Sequence, residues 1–287
     1  MTIKNVFAPL TGSTASSSSL DTALLLAKSF RAHAEIVFIR ESAQVALRAA
    51  VLAEEARFAA QAFAENLERE QEKTEKLARQ RFDDLLAQHR IDYRENALPA
   101  DLPSAYWRVV EGVATEEIEQ HGAAYDLIVV ARSEDNVASR PLVEAALFGT
   151  GCPVLVAPPT APTVIGENIM IGWNRGVPAA RVVRYAMPFL EIAARVEIFS
   201  VNTGAKKGAS AKDIARYLAW RNIKTELNST PPDQRSIGEM ILTEAETSGA
   251  DLLVIGAFSH SRLRQLILGG VTDHVLQNAD LPVLMAH

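Results

Sequence analysis

An α/β architecture of two tandem, doubly wound parallel-sheet domains related by pseudo-twofold symmetry is predicted by three observations in this 287-residue chain. The run DLIVVA at 126–131 recurs as DLLVIG at 251–256, and CPVLVA at 152–157 recurs as LPVLMA at 281–286. Self-similarity at so long a spacing marks a duplicated unit. The openings NVFA at 5–8 and NIMIG at 168–172 are both apolar runs of strand character. Between these landmarks, short β-branched runs alternate with longer amphipathic ones, the pattern of βαβ units whose sheet is covered on both faces.

In the first half, 6–9 reads as the opening strand, and Leu20, Ala23, Leu24, Ala27 and Phe30 share one helical face behind a serine-rich cap. In the second half, 169–173 is the strand, and Val182, Ala186, Phe189, Leu190 and Ala193 form the corresponding stripe. Second strands are expected at 34–39 and 196–201 and third strands near 93–98 and 224–227, with the two DL runs as fourth strands. Right-handed crossovers then give a doubly wound layer in each half. The expected boundaries are a first domain at 1–157, a linker at 158–166 and a second domain at 167–287. Pro158, Pro159 and Pro162 make the linker unsuited to helix. The first half carries about 40 additional residues between its second and third strands, read as one long helix over 42–89. That stretch lacks Gly and Pro, and pairs such as Glu65/Arg69 and Glu72/Lys76 stand at the supportive i,i+4 spacing. Phe63, Leu67, Leu77 and Leu85 are expected to rest on the domain, the rest facing water; a partner-binding or dimerising arm is the alternative.

Composition excludes several function classes. A formal charge of −6 provides no net positive field for nucleic acid or anionic lipid. The uncharged stretch at 145–166 contains Pro153 as well as the linker prolines, so it reads as strand and linker rather than membrane span. The amino terminus shows no signal-peptide pattern, and a lone Cys152 allows no intrachain disulfide and no zinc or redox pair, so a cytoplasmic location is expected. Cys152 opens an apolar strand and reads as an inert thiol. No H-E-x-x-H, G-x-S-x-G or G-x-x-x-x-G-K-[ST] pattern occurs, which leaves hydrolase and P-loop readings without support and predicts no metal site.

In an open parallel sheet, ligands bind beyond the carboxyl ends of the strands. After the fourth strand of the second half the chain reads GAFSHSRLRQLILGGVT from Gly256 to Thr272, a glycine leaving the strand and two more before an apolar helical run. Small residues let backbone N–H groups approach phosphate oxygens, and a helix N-terminus adds partial positive charge. His260, Arg262 and Arg264 could add countercharge, although His260 also reads as an ordinary solvated loop residue.

With these residues in place, the chain resembles a tandem universal stress protein, two Rossmann-like domains of that family covering essentially its whole length. Nucleotide-binding members carry a glycine, two residues, a second glycine, nine residues, a third glycine, then Ser or Thr. Gly256 and Gly269 match the first and third glycines; Ser259 replaces the second, and Gly270 replaces the hydroxyl residue. The family's acidic residue at the end of strand one is Asn174 here, which keeps hydrogen bonding without charge. The resemblance implies an adenine nucleotide, ATP with Mg²⁺ as companion ion, held by Gly256, Ser259, Gly269, Gly270 and Val271 as backbone donors, Thr272 as hydroxyl and Asn174 at the nucleoside. The first half departs further: Ala131, Arg132 and Ser133 follow its fourth strand, its loop-plus-helix segment is four residues shorter, and Thr11 stands near the place of Asn174. Gly12 and Ser13 read as a helix-capping turn, so the first half is expected to be scaffold. Trp173 is read as core or pocket wall, and Trp107 and Trp220 carry no motif.

The expected function is therefore a stress-response protein that binds nucleotide and regulates, with no named catalytic residue and at most slow ATP hydrolysis. Two rivals stand beside it: a ligand-free interaction module that engages a protein partner or a second copy as a homodimer, and an ATPase or nucleotidyl-transferring enzyme. Ser259 and Gly270 favour the module.

Overall fold

The structure, a computed structural model, describes residues 2–11, 16–41, 54–96, 103–132, 139–204, 208–258 and 270–287. The first half runs β1 (Asn5–Leu10), α1 (Ser16–Phe30), β2 (His33–Glu41), α2 (Glu54–His89), β3 (Asp92–Tyr93), β4 (Ser104–Gly112), α3 (Ala114–His121), β5 (Leu127–Ala131), α4 (Ser139–Gly149) and β6 (Val154–Ala157). The second runs β7 (Asn168–Gly172), α5 (Val177–Tyr185), α6 (Met187–Leu190), β8 (Arg195–Val201), α7 (Ala211–Ala219), β9 (Glu226–Thr230), α8 (Ile237–Thr247), β10 (Leu252–Gly256), α9 (Gly270–Asn278) and β11 (Val283–Ala286).

Among the described residues the strands form one eleven-stranded sheet in the order β3-β4-β2-β1-β5-β6-β11-β10-β7-β8-β9. Every neighbouring pair is parallel except β6 and β11 at the centre, which are antiparallel. Strands buried on both faces can be apolar at every position. Accordingly α1, α2, α5, α6 and α7 cover one face through Leu24, Phe82, Val182, Phe189 and Leu218. Helices α3, α4, α8 and α9 cover the other through Ile118, Ala146, Ile241 and Val275. The α/β, doubly wound arrangement expected from the repeats is thus observed.

The central pairing explains why the closing runs match. Leu155 faces Leu284, its own counterpart in the repeat, while Val156 pairs with Val283 and Val154 with Met285. Equivalent residues that exchange partners in this way define a local twofold axis, the geometry of an isologous interface within one chain. Tyr185 Oη donates to the Gly151 carbonyl at 3.2 Å, and Phe30 meets Phe189 edge-on at 4.8 Å, so helices on the flank also bridge the halves.

The aspartate that opens each DL run has a structural task. Asp126 Oδ2 accepts from the backbone N–H of Lys4 at 2.8 Å and of Asn5 at 3.0 Å, fixing the entry of β1. In the second half the Asp251 carboxylate accepts from the N–H groups of Gly166, Glu167 and Asn168, at 2.5, 3.1 and 3.0 Å, fixing the entry of β7. One carboxylate satisfies donors that an incoming strand would otherwise leave unpaired.

Several expectations need correction. The third strand expected near 93–98 is only the two-residue β3, and the principal strand is β4, which pairs with β2 over nine positions, from Ser104 to Gly112. Its Arg108 and Glu111 disguised it, yet Trp107 is buried between Phe38 and Phe82. In the second half β9 begins at Glu226 rather than 224. The stripe from Val182 to Leu190 belongs to two helices, because Pro188 lacks the N–H that a continuous helix needs; α5 ends at Tyr185 and α6 restarts at Met187. The long helix is described from Glu54, so 42–53 of its expected span lies outside the described residues, as does the Phe63 side chain. Leu85 packs as expected, but Leu77 is 60% exposed, and Phe82 anchors the helix instead.

Cys152 Sγ lies 3.0 Å from the Tyr125 carbonyl, and burial pushes its thiol above the ordinary range. Two expected outcomes follow from these contacts. Asp251→Ala should lower unfolding free energy by about 3 kcal/mol in urea titrations, since charged hydrogen bonds contribute about 1.5–3 kcal/mol each and some donors regain water. Cys152 should react with iodoacetamide at pH 7.5 at least about tenfold more slowly than free cysteine, as the attacking species is the scarce thiolate.

Candidate functional site

The sheet of the second half has its switch point between β7 and β10. From β7 the chain moves outward to β8 and β9, then returns to the other side of β7 as β10. A crevice forms outside the carboxyl ends of strands where the winding direction reverses, and that is where ligands bind in such sheets. Ile255 pairs with Gly172, so Gly256 and the loop that begins at Trp173 leave the sheet side by side.

Asn174 is exposed at this point, and its Oδ1 accepts the N–H of Gly176 at 2.8 Å, closing a turn that leads into α5. Arg175, next along, holds a left-handed φ of 66°. The loop after β8 packs on it: a Cβ on Gly208 would lie 2.8 Å from the Arg175 carbonyl oxygen, and Gly208 itself has φ +114°. Trp173 is buried, and its Nε1 donates to the Ala209 carbonyl at 3.0 Å, so it is a wall that ties the two loops together. Ser210 caps α7 in a reciprocal capping box with Asp213. Hydrogen bonds from Ser210, with Arg216 and Arg175 as further countercharge, hold the Asp213 carboxyl below the usual range.

Gly256 has a packing reason to be glycine. A Cβ there would meet Ala179 N at 2.3 Å and the Pro178 carbonyl carbon at 2.6 Å, so α5 rests directly on the strand end. This is close helix–strand approach, which glycine alone permits. Gly270, at the start of α9, is the opposite case: among the described residues nothing lies within 4 Å of a Cβ built on it. Val271 packs partly against the core, and Thr272 is buried with Oγ1 accepting the Phe258 N–H at 3.4 Å. Phe258, with φ 48°, is the second residue beyond β10, so the first turn of α9 is tied to the loop that leaves the strand end. The structure therefore brings Asn174, Gly256, Gly270, Val271 and Thr272 to one edge of the sheet. Ser259, His260, Arg262, Arg264 and Gly269 lie outside the described residues. The sequence reading missed Arg175; its place directly after the strand-one residue Asn174 was the available signal.

The first half uses the matching edge differently. Arg132, which follows β5 as Ala257 follows β10, is buried and reaches across the central seam to the Gln277 carbonyl at 2.7 Å and Asp280 at 3.1 Å. There it complements the carboxyl end of α9. Thr11 follows β1, while Gly12, Ser13 and Ser133 are outside the described residues.

An α/β protein whose second half has a switch point between β7 and β10 is what these observations define. Residues 232–287 match the family model described as the universal stress protein family. A universal stress protein from Synechocystis sp. is 44% identical over 46 residues, a stretch that covers 16% of this chain and only 16% of that protein's length. Across the whole chain, a universal stress protein from Archaeoglobus fulgidus DSM 4304 has a similar fold, with TM-score 0.68 at 13% identity over 98% of this chain and 97% of that one. A protein from Pseudomonas aeruginosa UCBPP-PA14, named as a candidate universal stress protein, follows with TM-score 0.53 at 15% identity over 98% and 92%. At such identities the structural likeness concerns fold. Among the described residues no helix is long and apolar enough to cross a membrane, and no group of three or more His, Cys, Asp or Glu side chains could hold a metal ion.

Gly256→Ala should destabilise the protein by about 3 kcal/mol or more in chemical denaturation, because the methyl cannot fit unless α5 moves off the sheet. A ligand role alone would leave stability unchanged.

Proposed function

We propose that this chain is a tandem universal stress protein acting in stress response, its halves at 1–157 and 167–287 joined by the linker at 158–166, and that the second half binds an adenine nucleotide. The observation that carries the reading is the convergence of Asn174, Gly256 and the first turn of α9 at the β7/β10 switch point. In this reading the N–H groups of Gly270 and Val271 face phosphate, together with Ser259 and Gly269 of the preceding segment, and Asn174 or Arg175 contacts the nucleoside or an outer phosphate. ATP is the ligand favoured, with Mg²⁺ arriving on the phosphates. Binding with regulation, rather than turnover, is the assigned role, in a cytoplasmic setting.

A ligand-free interaction module is the second reading. It is favoured by the hydroxyl of Thr272, which is already engaged by Phe258 N, and by Gly270 standing where the family pattern has Ser or Thr. Titration calorimetry with ATP and Mg²⁺ separates the two. Gly270→Glu introduces a side chain that meets no described residue and an acidic group that suits a helix start, so the melting temperature should hold or rise slightly. Nucleotide affinity should fall at least about tenfold, since a carboxylate then faces the phosphates. Absence of saturable heat at millimolar ATP in the parent protein would transfer the assignment to the interaction module.

A further inference from the structure

The amino-terminal edge of the second half, opposite the switch point, holds a cavity of about 410 Å³ between β8, β9 and α8. Its lining includes Arg195, Glu197, Glu226, Asn228, Glu244 and Ser248. That volume falls in the range of small-molecule pockets. The first half shows what the same place looks like when filled. Asn5 pairs with His33 as Asn168 pairs with Arg195, so Glu35 and Glu197 occupy one register position on the second strand of each half. In the first half Arg108 Nε donates to Glu35 Oε1 at 2.9 Å, and Tyr125 Oη donates to Glu35 Oε2 at 2.5 Å while its ring stacks on Phe7 at 4.8 Å.

Both donors are shortened in the second half. Tyr125 immediately precedes Asp126, and the residue immediately preceding Asp251 is Ala250. Arg108 pairs with Val37 as Asn228 pairs with Phe199, so asparagine stands at the arginine position. The Glu197 side chain is nevertheless buried, with 5% exposure. Asn228 Nδ2 is shared between Glu197 Oε1 at 3.2 Å and Glu244 Oε1 at 2.9 Å. Arg195 is spread over Glu226, Glu197 and the Ser248 carbonyl. Three carboxylates thus stand in the lining beside one guanidinium, which bonds two of them while Glu244 has only the Asn228 amide, and carboxylates have acceptor sites to spare after these bonds.

We propose that this cavity binds a small guanidinium compound, whose planar donors take, between Glu197 and Glu244, the place that Arg108 and Tyr125 take against Glu35. Excess negative charge attracts the cation, and the fork of guanidinium donors matches a carboxylate in a way an ammonium does not.

Calorimetric titration of the full chain with agmatine at low ionic strength tests this, with putrescine as the amine control. The expected result is saturable binding of agmatine that weakens with added salt, with putrescine at least about tenfold weaker. Ala250→Tyr, which rebuilds the first half's filling, should abolish binding while circular dichroism and the melting curve stay native. Glu244→Gln preserves shape and should weaken agmatine at least about tenfold, which keeps the test decisive if the tyrosine variant does not fold. No saturable heat with the parent protein, putrescine binding as tightly as agmatine, or unchanged affinity in either folded variant would overturn the assignment.

Discussion

The antiparallel pairing of β6 with β11 is the constraint on which the rest of the structure depends. Each half by itself would end in a short, fully apolar edge strand with a row of unpaired N–H and C=O groups, the kind of edge that recruits other chains. Placing Leu155 opposite Leu284 removes both edges at once and makes one sheet from two. The edges that remain are of another character: β3 has two residues, both exposed, and β9 is largely polar and exposed. The apolar strand ends are therefore spent at the centre, and the outer rims are left short or hydrophilic.

Around that axis the two halves differ in a consistent direction. One flank of the seam is charged, with Arg132 bound to the Gln277 carbonyl and Asp280; the other is aromatic, with Phe148 against Phe258 at 5.3 Å and His287 at 4.7 Å. On the α4/α9 side a single Arg140 serves both Glu144 at 2.8 Å and Asp273 at 3.3 Å. The first half has spent its side chains on cohesion: Arg132 on the seam, Tyr125 and Arg108 on Glu35, and α2 laid along α1. The second half has smaller residues at the corresponding places, Ala257, Ala250 and Asn228, and a cavity lies beside Glu197 and Asn228.

The place of the candidate site in the fold was legible in advance, but for mixed reasons. Gly256 and Thr272 were singled out by a spacing pattern and Asn174 by its position after the first strand of the second half, and all three lie beyond the strands on one side of the sheet. What spacing could not convey was that Gly256 is required by α5 above it, or that the Thr272 hydroxyl already has the Phe258 N–H. A glycine that approaches a phosphate and one that approaches a helix look alike in sequence, because both report only the missing Cβ. Asp126 and Asp251 were visible as a repeat, yet their clamp on an incoming strand depends on backbone donors 83 to 122 residues away, beyond any local pattern.

Local chemistry determined the repeated runs, the alternation of strands and helices, the Pro-rich junction and the acidic balance, since periodicity and repeated runs are properties of neighbouring residues. It also placed the first helix of the first half, where the apolar stripe is uninterrupted, but not the break at Pro188 in the second, nor β4, whose charged residues hide a strand made by nine-residue pairing with β2. The central antiparallel seam, the filling of one half by Tyr125 and Arg108, and the cavity left by Ala250 and Asn228 arose from long-range packing. Which side chains meet across more than a hundred residues is fixed by sheet order and register, and those are decided by burying all the apolar faces together rather than by any segment alone.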